Sequence, residues 1–391
     1  MDINTLVSFI PYGILPLATL LRESMVQRCY GSIAYLNKQS EKGKITYQEE
    51  KPSISVIIAA HNQAFQLNEN LPIILEQDYP NFEVIVVNDC SSDHTEDVLK
   101  ELSLKYKNLY HTYTLPSARY ISHKKLALTL GIKASKNDWG VLTEADCTPQ
   151  SNQWLSLLAR NFTPQTDMVL GYCNYSKEKG FLNSRIIFDR LIEQLQISKR
   201  VVYNGLAYRG DGGNMAVRKS AFIQNEGYLK NLALKRGEDS LLVNEMAKPG
   251  NTRMECNPEA VMLQEPPARL KNWITDKKFY METRKHYNSK GRWVSRYFGL
   301  QSTINYLCWL LGAAELYWGI TQQDYIHIGI AALCIITLLI GSIIPLNKSA
   351  KSVGCQTFYV TLPWREWTRP LNNLLFKMHR SFTRKDEFRR K

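Results

Sequence analysis

The alternation of apolar and polar stretches predicts an α/β domain in the middle of the chain. Two runs of apolar and β-branched residues, SISVIIAA (53–60) and FEVIVVN (82–88), are typical of strands buried on both faces of a parallel sheet. LNENLPIILEQ and KLALTLGIKAS show helical patterns, and WGVLTEA (139–145) predicts a further strand. Strands that alternate with helices at this spacing predict a doubly wound, mainly parallel sheet, whose ligands bind at the carboxyl ends of the strands.

Two longer apolar stretches, 300–320 and 325–344, lie toward the end of the chain. Each is close to the roughly 20 residues that span a bilayer, and the polar link TQQD between them is short enough for a helical hairpin. The second stretch carries no Asp, Glu, Lys or Arg, whereas the first contains Glu315. The pattern predicts a transmembrane hairpin, and a helix pair buried in a soluble core is the alternative.

The segment Leu6 to Leu21 is apolar but short, and Pro11 and Pro16 interrupt it. It has neither a basic start nor a small-residue cleavage site, so we do not interpret it as a signal peptide. The segment fits both a kinked membrane-spanning helix and a helix that lies in the membrane plane. Because Arg22 and Arg28 follow this segment and a basic tail follows the hairpin, the positive-inside tendency predicts a multi-pass inner-membrane protein with a cytosolic central domain and C-terminus.

The net charge of +13 does not predict nucleic-acid binding, because much of the excess lies at one end. Residues 346–391 hold eleven Lys or Arg and three acids. Placed after the apolar segments, this charge favours an anionic membrane surface as partner, and a solvated tail without a partner is the alternative. The eight cysteines form no CxxC pair, which indicates reduced thiols in a cytosol-facing protein.

These patterns divide the chain into six predicted parts. They are an apolar anchor segment (1–36), a polar linker (37–50), the α/β domain (51–270), an amphipathic, interfacial segment (271–299), two transmembrane helices (300–345) and a basic cytosolic tail (346–391).

Acidic residues follow two of the predicted strands. Asp89 comes directly after FEVIVVN, and Glu144 and Asp146 end WGVLTEA. Two carboxylates at i and i+2 at a strand end can direct their oxygens at one hard cation, and Mg²⁺ or Mn²⁺ uses such ligands together with diphosphate oxygens. For Asp89, a helix cap or a turn is the alternative to ligand binding.

The chain resembles the family 2 glycosyltransferases. The motifs occur in the order of that family and cover about half of this chain. The resemblance implies the GT-A fold, a mixed, mainly parallel sheet with flanking helices. The motifs that carry it are His61-Asn62-Gln63, Gln77-Asp78-Tyr79-Pro80, the stretch from Asn88 to Thr95, the stretch from His123 to Leu128, Glu144-Ala145-Asp146, the stretch from Gly212 to Lys219, and Gly237-Glu238-Asp239.

The resemblance also implies an inverting enzyme that moves a sugar from a nucleotide-diphosphate sugar, UDP-linked, to a lipid-linked or cell-envelope glycan. Asp239 would be the general base, with Glu238 beside it at the start of a helix. Asp146 and Glu144 would hold Mg²⁺ or Mn²⁺. The residues implied in donor binding are Ala59, His61, Asp89, Lys124, Ala145, Gly213 and Asn214.

Two departures from the family pattern matter. Glu144 replaces the usual first Asp of the metal motif, and the stretch from Trp273 to Tyr280 lacks the Gln-x-x-Arg-Trp element of processive members. Trp273 and Tyr280 are candidates for stacking on an acceptor sugar, with anchoring to lipid headgroups as the alternative. A processive polysaccharide synthase and an inactive sugar-binding scaffold are the competing functions.

Overall fold

The structure is a computed structural model that describes residues 3–115 and 122–388, with the backbone alone for residues 3–12, 385 and 386. The strands are β1 (Ile54–Ala60), β2 (Phe82–Asn88), β3 (Leu109–Tyr113), β4 (Trp139–Thr143), β5 (Cys147–Pro149), β6 (Met168–Leu170), β7 (Cys173–Tyr175), β8 (Met215–Arg218), β9 (Thr252–Met254) and β10 (Met262–Gln264). The helices are α1 (Ile3–Tyr30), α2 (Ser32–Glu41), α3 (Ala64–Leu75), α4 (Thr95–Lys105), α5 (His123–Ala134), α6 (Trp154–Ala159), α7 (Phe181–Asn204), α8 (Lys219–Gln224), α9 (Ser240–Met246), α10 (Leu270–Thr283), α11 (Ser289–Gln322), α12 (Tyr325–Ile340), α13 (Ile343–Ser352), α14 (Leu362–Phe382) and α15 (Lys385–Phe388).

The central sheet is mixed and mainly parallel, as predicted. Its strand order is β3-β2-β1-β4-β8-β6-β9, and β8 is antiparallel to both of its neighbours. A second, three-stranded sheet has the order β5-β10-β7. The strand predicted at 139–145 ends at Thr143, because the chain turns at Glu144 and enters the second sheet at Cys147. Strand β3 and helix α4 were not predicted.

Strand β1 shows why the consecutive apolar run folds as a buried strand. Neighbouring residues of a strand point to opposite faces of the sheet. Ile57 packs in one core cluster with Leu128 of α5, whereas Val56 and Ile58 pack in another with Leu71 of α3. Helices therefore cover both faces, and the apolar residues of the run are buried except Ala59, which is partly buried.

The topology creates a crevice at the carboxyl end of β1. Strand β1 pairs with β2 on one side and with β4 on the other, so the chain crosses over the sheet between β3 and β4. Where the strand order changes direction in this way, the connections that follow the two adjacent strands separate and leave a ligand crevice between them. The residues after β1, β2 and β4 therefore meet at one place.

The hairpin of α11 and α12 forms, and α1 packs along both helices. The side chain of Asp324 caps α12 by accepting from the backbone N–H groups of Ile326 and His327. Within the described residues, one helical stretch, 325–352, is long and apolar enough to cross a membrane, and α11 is not. Such a stretch alone is weak support for a span, so the predicted two-helix, multi-pass arrangement is not supported.

Helices occupy parts of the predicted linker and of the predicted tail. Residues 37–41 of the predicted linker belong to helix α2, and the predicted basic tail folds into α13 and α14. Helix α14 packs against α10, and two of its arginines form ion pairs with other helices, Arg369 with Asp189 of α7 and Arg380 with Glu282 of α10. Part of the basic charge is therefore neutralised inside the protein. The cysteines among the described residues are free thiols, as predicted.

Candidate active site

A cavity of about 1150 Å³ opens at the carboxyl ends of β1 and β4. It also reaches the start of α9 and one face of α10. Most of the candidate residues from the sequence line it. They are Ala59, His61, Asp89, Lys124, Glu144, Asp146, Glu238, Asp239, Trp273 and Tyr280.

The first wall of the cavity is built where β1 and β2 end. The backbone N–H of Asp89 donates to the carbonyl of Ala60 at 2.7 Å, and Nδ1 of His61 lies 2.6 Å from the carbonyl oxygen of Asp89. The Asp89 carboxylate accepts from the Thr114 hydroxyl at 2.9 Å and lies 3.2 Å from Nδ1 of His123.

The alternative interpretation of Asp89 as a helix cap is wrong. Its neighbour Asp93 takes that role instead, because the Asp93 carboxylate accepts from the backbone N–H groups of Thr95 and Ala64. Asp89 is thus held in the cavity wall by side chains of other elements, with no part in starting α4.

Lys124 bridges two carboxylates in the middle of the cavity. Its Nζ lies 2.9 Å from Oε1 of Glu144 and 2.7 Å from Oε1 of Glu238. The ammonium group lowers the pKa of Glu144. Burial opposes ionisation of Glu238, but Lys124 and Arg236 together lower the pKa of that carboxyl to about 2. All three groups are therefore charged at neutral pH.

Asp146 is a carboxylate of this cavity that forms no ion pair with a Lys or Arg of the described residues. Burial, together with the negative charge of Glu144, raises the pKa of Asp146 to about 6. Its oxygens accept from Nε2 of Gln264 at 3.2 and 3.4 Å, and no Lys or Arg nitrogen of the described residues lies within 4.0 Å. A buried carboxylate beside a second one is stabilised by a divalent cation, so the Asp146 and Glu144 pair fits Mg²⁺ or Mn²⁺.

A second group of potential ligand atoms consists of Asp89, Cys90 and His123, all within 4.8 Å of one another. These atoms already have partners, since the Cys90 thiol donates to the Thr114 carbonyl at 3.1 Å and His123 contacts Asp89. A thiol and an imidazole suit softer cations than Mg²⁺. The pair of carboxylates is therefore the better fit to the predicted cation.

Asp239 occupies both predicted positions, the start of a helix and the cavity wall. Its carboxylate caps α9 through the N–H of Ser240 and also accepts from the N–H of Gly212 at 3.2 Å. Burial, followed by the negative charges of Glu238 and Asp211, raises the pKa of Asp239. A carboxylate with a raised pKa at a cavity wall is a stronger base than an exposed one.

Three residues predicted to bind the donor do not line the cavity formed by the described residues. Asn214 is completely buried, where its side chain accepts from Nε1 of Trp154 at 3.0 Å and donates to two backbone carbonyls at 2.9 Å. A side chain on Gly213 would meet Sγ of Cys173 at 2.6 Å, so this glycine is required for packing under the cavity. Ala145 is also buried, with its carbonyl accepting from Asn70 at 2.9 Å.

The cavity contains charged residues that the sequence analysis missed. Arg190 on α7 lies 2.6 Å from Oδ2 of Asp211, and Arg209 contacts Glu193 at 3.2 Å. Asp211 could have been found, because it directly precedes the Gly212-Gly213 motif. Arg190, Glu193 and Arg209 belong to no local sequence motif. Arg190 and Glu193 reach the site because α7 packs against it, and they pair there with Asp211 and Arg209.

The acceptor-side candidates lie on α10. Trp273 is 3 % exposed and contacts Phe376 edge to face at 5.2 Å between ring centroids. The Tyr280 hydroxyl accepts from Arg209. The ring of Trp273 is therefore enclosed by protein, and stacking on a sugar and contact with lipid headgroups both stay predictions.

Residues 55–225 match the family model described as glycosyl transferase family 2. This part of the chain belongs to that family. The match confirms the family predicted from the sequence motifs, and the observed sheet has the predicted architecture.

Relatives and a solved structure agree with this assignment. A Bacillus subtilis protein named "Probable glycosyltransferase YdaM" is 36% identical over 104 residues, 26% of this chain and 24% of that protein. The poly-beta-1,6-N-acetyl-D-glucosamine synthase of Staphylococcus epidermidis is 29% identical over 98 residues, 25% of this chain and 23% of that protein. The chain thus spans about a quarter of the length of these relatives.

A mannosyltransferase from Pyrobaculum calidifontis, PcManGT, solved in complex with GDP-Man and Mn²⁺, has a TM-score of 0.50 to this structure. The two share 15% sequence identity, and the likeness covers 94% of this chain and 98% of that chain. At this identity the likeness establishes the fold alone.

Proposed function

We propose that the protein is an inverting, metal-dependent glycosyltransferase that uses a nucleotide-diphosphate sugar, UDP-linked, and a lipid-linked or cell-envelope glycan as acceptor. The observation that carries this proposal is the arrangement of the cavity. The carboxylate Asp146, which no Lys or Arg of the described residues pairs with, lies beside Glu144, and both face the same space as Asp239 at the switch point of a family 2 domain.

The donor occupies the side of the cavity formed by β1, β2 and β4. Ala59, His61 and Asp89 contact the nucleoside, and Asp146 with Glu144 holds Mg²⁺ or Mn²⁺ at the diphosphate. The cation, when bound, supplies charge stabilisation to the departing diphosphate. Lys124 holds Glu144 and Glu238 in place and adds one positive charge to the donor side.

Asp239 accepts the proton of the acceptor hydroxyl. A carboxylate suffices for this step, because the alcohol loses its proton only as its oxygen bonds to the anomeric carbon. That oxygen attacks on the face opposite to the nucleotide, the bond from the anomeric carbon to the diphosphate breaks, and the configuration inverts. The backbone N–H groups of Gly212 and Ser240 hold the carboxylate toward the cavity.

The acceptor lies on the α10 side, against Trp273 and Tyr280. The outward faces of α1, α11 and α12 carry exposed leucine, isoleucine, tyrosine and tryptophan side chains, such as Leu17, Trp318 and Ile326. Burial of these side chains in lipid places the domain at the bilayer, where such acceptors reside. We propose the cytosolic side, in agreement with the positive charge after the apolar segments.

A donor-hydrolysis screen tests the proposed function. The purified full chain is incubated with a panel of UDP-, GDP- and TDP-sugars, with Mn²⁺ or with chelator, and nucleoside diphosphate release is measured. We expect release from a UDP-sugar that requires the cation and that is strongly reduced in Asp146→Asn at the same Mn²⁺ concentration. Absence of release from every sugar would favour an inactive scaffold, and long products with added acceptor would favour a processive synthase.

A further inference from the structure

A second cavity, of about 230 Å³, lies between α7, α10 and α14. Its walls are rich in aromatic rings, among them Phe181, Phe188, Trp364 and Phe376. Trp273 lines this cavity and also the main one, so the two cavities are neighbours. A ligand in the second cavity therefore lies next to the proposed acceptor side of the first.

Two arginines of this cavity have no carboxylate partner. Arg185 lies over the ring of Trp273 at 5.1 Å and makes no hydrogen bond to any described residue. Arg365 donates only to the carbonyl and hydroxyl oxygens of Ser184 and to the hydroxyl of Thr361. Asp189, the acid that acts on Arg185, is already paired with Lys277 and Arg369.

Neither of these two positive charges contacts a carboxylate among the described residues, and each lies over aromatic rings instead. Burial lowers the pKa of Arg185, and burial together with the charge of Arg185 lowers the pKa of Arg365. Like charges in a partly desolvated, aromatic cavity favour an anion between them. Planar guanidinium groups bind phosphate oxygens in pairs, which makes phosphate the best match.

The surface beside the cavity is apolar. Side chains of α14 that recur every three or four residues are exposed along one face. They are Trp364, Trp367, Leu371, Leu374, Leu375, Met378 and Phe382. This face continues into the apolar hairpin, because the ring of Trp367 contacts the rings of Tyr306 and Trp309 on α11.

We propose that the cavity between α7, α10 and α14 binds the phosphate of a lipid phosphate, whose hydrocarbon chains lie along the exposed face of α14. Arg185 and Arg365 neutralise the phosphate, and the apolar stripe covers the chains. This rests on the proposed function and deepens it, since a sugar carried on that phosphate would pass Trp273 into the main cavity. The acceptor class is then a glycan linked to lipid through phosphate.

The test measures lipid binding without any donor. The full chain in neutral detergent micelles is titrated with phosphatidic acid, with diacylglycerol of the same chains, and with inorganic phosphate, and intrinsic tryptophan fluorescence reports binding. We expect saturable binding of phosphatidic acid, and much weaker binding of the other two. Equal binding of diacylglycerol would overturn the role of the phosphate, and equal binding of inorganic phosphate would overturn the lipid.

Arg185→Gln is the decisive variant, because it removes no hydrogen bond from the described structure. We expect a loss of about tenfold or more in affinity for phosphatidic acid, the usual effect of removing a charged hydrogen bond. The matched control is Lys377→Gln, which removes one exposed charge from α14. An equal loss in both variants would indicate unspecific charge attraction and overturn the proposal. Because no donor is present, failure here is distinguishable from failure of donor hydrolysis.

Discussion

Replacement of Asp239 by Asn separates its catalytic role from its helix cap. The amide keeps the shape but cannot take up the acceptor proton, so we expect transfer to fall by about 10² to 10⁴. The substitution leaves one carbonyl oxygen for the two N–H groups of Ser240 and Gly212, which costs about 1 kcal/mol. It also removes the repulsion from Glu238 and Asp211, which acts in the opposite direction.

Because these two stability effects oppose each other, we expect the melting temperature of Asp239→Asn to lie within about 4 °C of the parent. The assay combines initial transfer rates, calorimetric donor affinity and thermal melting of the full chain. Asp138→Asn is the matched control, since Asp138 also accepts from a backbone N–H, that of Ser220, but lies outside the cavity. A variant that melts early but transfers at the parent rate would refute Asp239 as the base.

Three further predictions concern the cation, the pH dependence and the core. Asp146→Asn should raise the Mn²⁺ concentration for half-maximal activity by about tenfold or more, measured in chelator-buffered rate titrations; an unchanged requirement would move the cation elsewhere. Burial lowers the pKa of Lys125 from 10.5 to about 8 in the folded protein, so the charged amine destabilises the fold at lower pH. Between pH 8 and 10.5 the folded protein has lost this proton and the unfolded chain still holds it. The free energy of unfolding relative to Lys125→Met should therefore rise by up to about 3 kcal/mol across this range, measured by urea unfolding. A flat difference would show that the amine stays charged. Asn214→Ala should cost about 3 kcal/mol by loss of its three buried hydrogen bonds, whereas a loss below 1 kcal/mol would return Asn214 to the donor-binding candidates.

The pattern of residues along the chain was sufficient to predict the centre of the fold and most of the candidate site. Strands β1, β2 and β4 are buried on both faces, and that requirement appears directly as consecutive apolar residues. Asp89, Glu144 and Asp146 could be predicted because each follows such a strand at once, and the carboxyl ends of parallel strands meet at one edge. A local pattern was therefore sufficient to find a shared site.

Contacts between distant elements determine which polar residues face that site and which face the core. Asn214 and Gly213 belong to a family-like motif, yet they pack against Trp154 and Cys173, distant in sequence. Strand β3 was missed because it lies at the sheet edge and is partly exposed, so it lacks a continuous apolar run.

The C-terminal region shows most clearly that a local pattern does not predict the partners of charged residues. Its composition indicated a basic tail, but α14 folds onto α10, and Arg369 pairs with Asp189 on α7. Arg185 and Arg365 lie 180 residues apart, and they share a cavity only because α7 and α14 pack together. Charge composition is a property of the chain, whereas the partner of each charge depends on contacts between distant elements, which no local pattern specifies.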